Sequence, residues 1–224
     1  LFLERARALQ PAFAQANDPV EAVAGVVRAL DGLPLAIELA AARTLVFSPD
    51  ELLAEMHDRL ALLQRGARAL PERQRTISAT VAWSYQLLDA NAQKLLRWLA
   101  AFSGGWTLEA AQAIADTALA SGVSGTAVLQ DLIEQNLVRR ADDQLGVRFS
   151  LLELIREYAL KQLVETGEYE AAARAHAAYF VDQVAQTASG RRHRSDATSM
   201  QRFVLRERAN LREVLAWCID HEQA

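Results

Sequence analysis

The sequence predicts a mainly α-helical protein with one small β-hairpin, and three observations carry that expectation. Alanine and leucine dominate and β-branched runs are few, which favours helix along most of the chain. Apolar residues recur at helical spacing in segment after segment, each opened by a capping signal and closed by Gly or a polar turn. One stretch, LVRRADDQLGVRFS, departs from this with two short strand-like runs, 137–140 and 147–150, joined by a polar turn ending in Gly146.

Composition bounds the rest. The chain has 224 residues, enough for one large domain or two to three small ones, with 51% hydrophobic and 23% charged residues. A net charge of −4 gives no global attraction for nucleic acid or an anionic membrane. No apolar stretch reaches the length of a membrane span, and no signal peptide is visible. Cys218 is the only cysteine, which excludes a disulfide framework and a cysteine-based zinc site. These features point to a cytoplasmic protein without membrane contact. The chain opens in LFLERARAL with no initiator Met, which reads as a piece of something longer.

Leu1, Phe2, Leu3, Ala6 and Leu9 form one helix face, broken by Pro11 and the NDP at 17–19. Asp18, Pro19 and Glu21 then make a helix start with a capping box. That helix runs to about Leu30. In DGLPLAIELAAAR, Gly32 stops it, because glycine accepts the left-handed conformation of a helix C-terminus, and Pro34 opens the next. Ser48, Pro49 and Glu51 repeat the starting signal ahead of Leu52, Leu53, Met56 and Leu60. GARALPERQR, 66–75, lacks periodicity and reads as a linker.

A helix over 76–88 follows. Asp89 caps the next, with Leu95, Leu96, Leu99 and Phe102 on one face, and Thr107 caps TLEAAQAIADTA after an SGGW turn. SGVSG leads into TAVLQDLIEQN, then the hairpin, then a long helix ending at Gly167. Three helices, a hairpin and a further helix is the order of a winged helix-turn-helix domain. Two amphipathic helices, 168–188 and about 199–220, flank a polar loop, SGRRHRSD, as the first pair of a TPR-like array would. The expected organisation is a small helical bundle domain over 1–66, a winged helix domain over 67–167 and the start of the repeats over 168–224.

Catalytic signals are missing from the sequence. The two lysines, Lys94 and Lys161, lie in amphipathic helices and neither follows a glycine, so there is no Walker A loop and the chain is not expected to be an enzyme by itself. His57, His176, His193 and His221 are scattered. His57 and Asp58 adjoin, but neighbouring helical positions face apart, so no metal site is expected. No G-x-S-x-G elbow is present. Ser84 and Cys218 read as structural.

DNA binding by the winged helix must overcome its own charge. The recognition-helix candidate, 126–136, holds Asp131 and Glu134 and no basic residue, although Gln130, Gln135 and Asn136 could read bases. Arg139, Arg140 and Arg148 of the wing are offset by Asp142 and Asp143, and the basic cluster RRHR at 191–194 lies outside the domain. DNA contact by this chain is not expected.

GLPLAIELAAAR, ERQRTISATVAWSYQLLD, AFSGGWTLEAA and RFSLLELIREYAL together resemble consecutive segments of the bacterial STAND-type, NB-ARC-like signalling ATPases of multidomain transcriptional regulators, from Leu1 to about Trp217. The resemblance implies a non-catalytic regulatory arm. An upstream P-loop domain would bind ADP or ATP with Mg in the full-length protein, which is then an ATPase, and downstream helical repeats would sense a protein or small-ligand signal. It also implies that Gly32, Leu33, Pro34 and Leu35 form the nucleotide-adjacent GLPL corner, with the proline ring near the adenine. The positions matching the family's Met-His-Asp motif are Leu151, Leu152 and Glu153. Leu152 has no donor for a phosphate, and neither Arg148 nor Arg156 is singled out as its substitute. The two rival readings are a DNA-binding winged helix and a protein-interaction scaffold that never communicates with nucleotide.

Overall fold

The computed structural model describes residues 1–11, 13, 20–30, 32–56, 72–143, 146–189 and 197–220. Its helices are α1 (Phe2–Leu9), α2 (Val20–Ala29), α3 (Pro34–Ala42), α4 (49–56), α5 (Glu72–Gln86), α6 (Ala90–Leu99), α7 (Leu108–Ala118), α8 (Gly125–Glu134), α9 (Glu153–Glu165), α10 (Tyr169–Ala188) and α11 (Ala197–Asp220). Strands β1 (Arg139–Asp143) and β2 (Gly146–Ser150) lie between α8 and α9. The mainly α fold with one hairpin and a winged helix is therefore as the sequence predicts.

The expected caps form. Asp89 Oδ1 accepts the Ala92 N–H at 2.8 Å and Thr107 Oγ1 accepts the Ala110 N–H at 3.3 Å, satisfying N–H groups that a helix start leaves open. At α4, Glu51 Oε2 accepts the Ser48 N–H at 2.8 Å while Ser48 Oγ accepts the Glu51 N–H at 3.4 Å, a complete capping box. The cap expected from Asp18, the linker over 66–71, and the RRHR loop lie outside the described residues.

Two expectations are corrected. The linker ends earlier than Arg75, because α5 begins at Glu72. Leu137 and Val138 are not strand. Asn136 takes a left-handed conformation at φ 57°, and the Leu137 and Val138 N–H groups return to the Leu132 carbonyl at 3.0 and 3.1 Å. This is a helix C-terminal lock with two buried apolar residues behind it. Apolar β-branched character cannot separate such a lock from a strand.

The chain divides into two compact units. The first comprises Leu1–Gln93, Gln130–Val138 and Leu152–Tyr158. Its core gathers Phe2, Val26, Leu30, Ile37, Met56 and Trp83 around α3. Helix α3 buries Ala36, Ile37, Leu39, Ala40, Ala41 and Ala42 and carries one charged residue, Glu38, half-buried and paired with Arg5 at 2.9 Å, so it is a central rod rather than an amphipathic surface helix.

The second unit comprises Lys94–Leu129, Arg139–Leu151 and Ala159–Ala224. The hairpin is antiparallel, pairing Arg139 with Ser150 and Arg140 with Phe149. Trp106 adds a third rung on the far side of β2, exchanging two 2.8 Å backbone hydrogen bonds with Phe149. Behind it Phe102 packs on Trp106 at 5.5 Å between ring centroids, and edge-on to His176 and Phe180 at 4.7 and 6.0 Å. Gly105, at φ 74°, lets the chain reach this rung. A Cβ there would lie 2.5 Å from the Phe149 carbonyl oxygen.

Gly105→Ala is expected to lower stability by roughly 2–4 kcal/mol, combining a disfavoured φ with a backbone clash. Gly122→Ala, at φ 92° with nothing within 4 Å, should lose about 1 kcal/mol. Urea unfolding of both variants measures the difference. A second expectation concerns α4. The Ser48 N–H and hydroxyl hold the Glu51 carboxyl below the usual glutamate range. With its folded pKa depressed, the capping box contributes above the unfolded value and is lost as pH falls through the folded one. An NMR titration should place Glu51 below ordinary glutamates, and Ser48→Ala should return it to them.

Candidate functional site

The GLPL corner forms where the sequence places it. Gly32 adopts φ 66° and its N–H returns to the Val27 carbonyl at 3.0 Å, closing α2. No atom lies within 4 Å of a Cβ built there, so the glycine serves backbone conformation and not close approach. Leu33 is extended at φ −72° and ψ 120°, and Pro34 opens α3. Gly32 and Pro34 are exposed, Leu33 and Leu35 half-buried. The four residues thus present a rigid ring and bare backbone outward from a helix whose remainder is locked in the core.

The other end of α3 carries a feature that the sequence reading passed over. Arg43 is 4% exposed. Its Nη2 donates to the Ser84 carbonyl of α5 at 2.6 Å, and its Nη1 donates to Gln135 Oε1 at 2.6 Å. Nε is buried with no hydrogen-bond partner among the described residues. Burial lowers the guanidinium to about 10, so it remains protonated at neutral pH. A buried cation is ordinarily matched by a carboxylate. This one is held by two neutral oxygens. The signal in the sequence was an arginine ending a helix that is apolar but for Glu38.

Gln135 belongs to the turn that ends α8, the recognition helix of the winged motif. Its neighbour Asn136 donates from Nδ2 to the Glu38 carbonyl of α3 at 3.4 Å. Gln130 Nε2 donates to Glu134 Oε1 at 2.8 Å. All three residues able to read bases therefore have internal hydrogen bonds, two of them with α3 or its terminal arginine. What α8 exposes is Thr126, Ala127, Gln130, Asp131 and Glu134, a face with two carboxylates and no cation.

The wing arginines are likewise engaged. Arg148 donates to the Gly104 and Gly105 carbonyls at 3.0 and 3.1 Å and forms a bidentate pair with Glu207 at 2.6 and 2.8 Å. Arg140 lies 3.3 Å from Asp142. Leu152 is half-buried, and Arg156 lies 3.7 Å from Glu153. Arg148 is thereby removed as a stand-in for a phosphate-binding histidine. Among the described residues no group of three or more His, Cys, Asp and Glu side chains could hold a metal, and no helix is long and apolar enough to cross a membrane.

Residues 88–164 match the winged helix-turn-helix domain family. The chain is 39% identical over 222 residues, 97% of its length, to a "putative HTH-type transcriptional regulator" of Mycobacterium tuberculosis and to one of Mycobacterium bovis. It covers 24% of each of those proteins. It is also 39% identical over 172 residues, 76% of its length, to an uncharacterized protein of Mycobacterium tuberculosis, of which it covers 44%. The chain thus spans about a quarter to somewhat under half of the relatives it matches.

Gln135→Ala is expected to destabilise the chain by roughly 1.5–3 kcal/mol, because it strips a buried charged donor of its partner. A solvent-facing base reader would change stability by no more than about 0.5 kcal/mol. Arg43→Met should cost less than Arg43→Ala, since it retains aliphatic volume and removes the buried charge. Denaturant midpoints of the three variants decide.

Proposed function

We propose that the chain is the non-catalytic regulatory arm of a longer STAND-type signalling ATPase that controls transcription, and that its winged helix acts as a relay and not as a DNA reader. The observation that carries this reading is the pair of bonds from the end of the recognition helix to the GLPL helix: Gln135 to Arg43, and Asn136 to the Glu38 carbonyl. A recognition helix free to enter a major groove keeps its polar side chains for base edges and its flanks for phosphates. Here Gln135 and Asn136 hold α3 and its terminal arginine, Gln130 is bonded to Glu134, and the exposed face is acidic.

In this reading the GLPL corner covers ADP held by an upstream P-loop domain, with Pro34 against the base. Any displacement of that corner is transmitted along the rigid rod of α3 to Arg43, and from Arg43 to α8. Exchange for ATP with Mg, or a signal on downstream helical repeats, would bias the arm between two states. Relatives named as HTH-type transcriptional regulators support a role in transcription, and DNA contact would then belong to another part of the longer protein.

Two measurements test the proposal. A labelled generic duplex titrated with the chain at low salt, which favours phosphate attraction, should show no anisotropy change at tens of micromolar. Salt-sensitive micromolar binding would favour the DNA-reading alternative. In the full-length protein, Pro34→Ala should weaken ADP binding several-fold. Unchanged affinity would leave a scaffold that does not communicate with nucleotide.

A further inference from the structure

The second unit holds an open cleft of about 690 Å³ where α7 and α10 face each other beside Trp98 of α6. That volume falls within the range of roughly 300–1,000 Å³ of small-molecule sites. Two aromatic rings line it, Trp98 and Tyr179, with small side chains between the helices, among them Ala113, Ala171 and Ala175. The lining is mostly apolar, with a few polar groups, as ligand sites are built.

Those polar groups divide into satisfied and unsatisfied ones. The Thr117 hydroxyl donates to the Ala113 carbonyl at 3.0 Å. Glu170 accepts the Trp217 indole N–H at 3.3 Å, and Asp182 accepts the Gln186 amide at 2.5 Å. Arg174 is exposed and makes no hydrogen bond or ion pair among the described residues. Trp98 is 5% exposed, and its indole N–H is buried without a hydrogen-bond partner among the described residues. A buried indole N–H ordinarily has one. Both unsatisfied groups are donors, and one is a cation. What the cleft lacks is an acceptor.

We propose that this cleft binds a free small molecule, a monocarboxylate with an apolar aromatic body, its carboxylate on Arg174 and its ring against Trp98. A guanidinium presents paired donors that match a carboxylate, and an aromatic wall favours a flat apolar body. The charge of the ligand is limited from both sides. At the helical rise, Glu170 and Asp182 stand about 6 and 12 Å from Arg174 along α10. A single negative charge gains the guanidinium, whereas a di- or triphosphate would meet two carboxylates. The cleft is therefore unsuited to ADP or ATP, and its ligand is independent of nucleotide coupling.

The test uses the whole chain and three probes that share one ring system and differ in charge: 2-naphthoate, 2-naphthylmethanol and 2-naphthylmethylamine. By titration calorimetry 2-naphthoate should bind with a Kd of roughly 0.1–1 mM, the range for a ligand of this size. It should bind at least about five-fold more tightly than the alcohol, and the amine more weakly still. It should also shift the Trp98 indole N–H resonance, assigned by its loss in Trp98→Phe, while ADP leaves that resonance unmoved. Arg174→Gln, at an exposed position, should reduce 2-naphthoate to the affinity of the alcohol without changing the alcohol. Ala175→Leu should abolish binding of all three while the chain keeps its helical circular dichroism. Absence of 2-naphthoate binding, equal binding of the three probes, or a charge preference that survives Arg174→Gln overturns the proposal. So does a Trp98 shift driven by ADP. Binding that is present in this chain and lost in the full-length protein overturns it too, because the cleft would then seat another segment of that protein.

Discussion

The N-terminal unit is organised around one buried cation. Arg43 carries its charge 4% exposed at the end of α3, and it joins three chain segments at one point: α3, the last turn of α5 at Ser84 and the end of α8. Burying an unpaired ion is expensive, and two neutral acceptors offset only part of that. The site therefore favours any arrangement that keeps both oxygens in place. Losing Gln135 would leave a charged donor bare in the core, so the end of the recognition helix is tied to the helical domain by the need to satisfy Arg43.

The second unit solves the same problem with a full counter-ion. Arg148 reaches the buried carboxylate of Glu207 through two nearly parallel bonds, and its remaining donors take the Gly104 and Gly105 carbonyls. Asn210 completes the cluster, accepting the Ser103 and Gly104 N–H groups and donating to Gly105 and Glu207. The wing strand, the SGGW turn and α11 are thereby knotted together. Each donor has a partner, which is what makes a buried polar network stabilising rather than costly. The arginine of the wing is structural for the same reason that it is unavailable to phosphate.

These two clusters take up polar side chains of the winged helix that could otherwise face outward. A winged helix-turn-helix fold supports DNA reading only if its polar side chains are left outside. In this chain Gln135, Asn136 and Arg148 are turned to internal use, and the face left over on α8 is acidic. The Pro34 corner, by contrast, presents a rigid apolar ring outward at a helix start.

Much of the architecture was legible in the residues themselves. Local capping chemistry at Ser48, Asp89 and Thr107, the left-handed Gly32 and Gly167, and the Pro34 start depend on neighbours within a few positions, so the sequence alone determined them. Composition and periodicity likewise determined the mainly helical class and the single hairpin. The start of α5 and the fate of Leu137 and Val138 were less legible, because a helix lock and a short strand share the same apolar residues. Only tertiary structure decided what Arg43, Gln135, Asn136 and Arg148 do. Their partners lie 41 to 98 positions away, and whether a polar side chain faces water, DNA or a buried carbonyl is set by which distant backbone oxygen the fold brings within hydrogen-bonding reach.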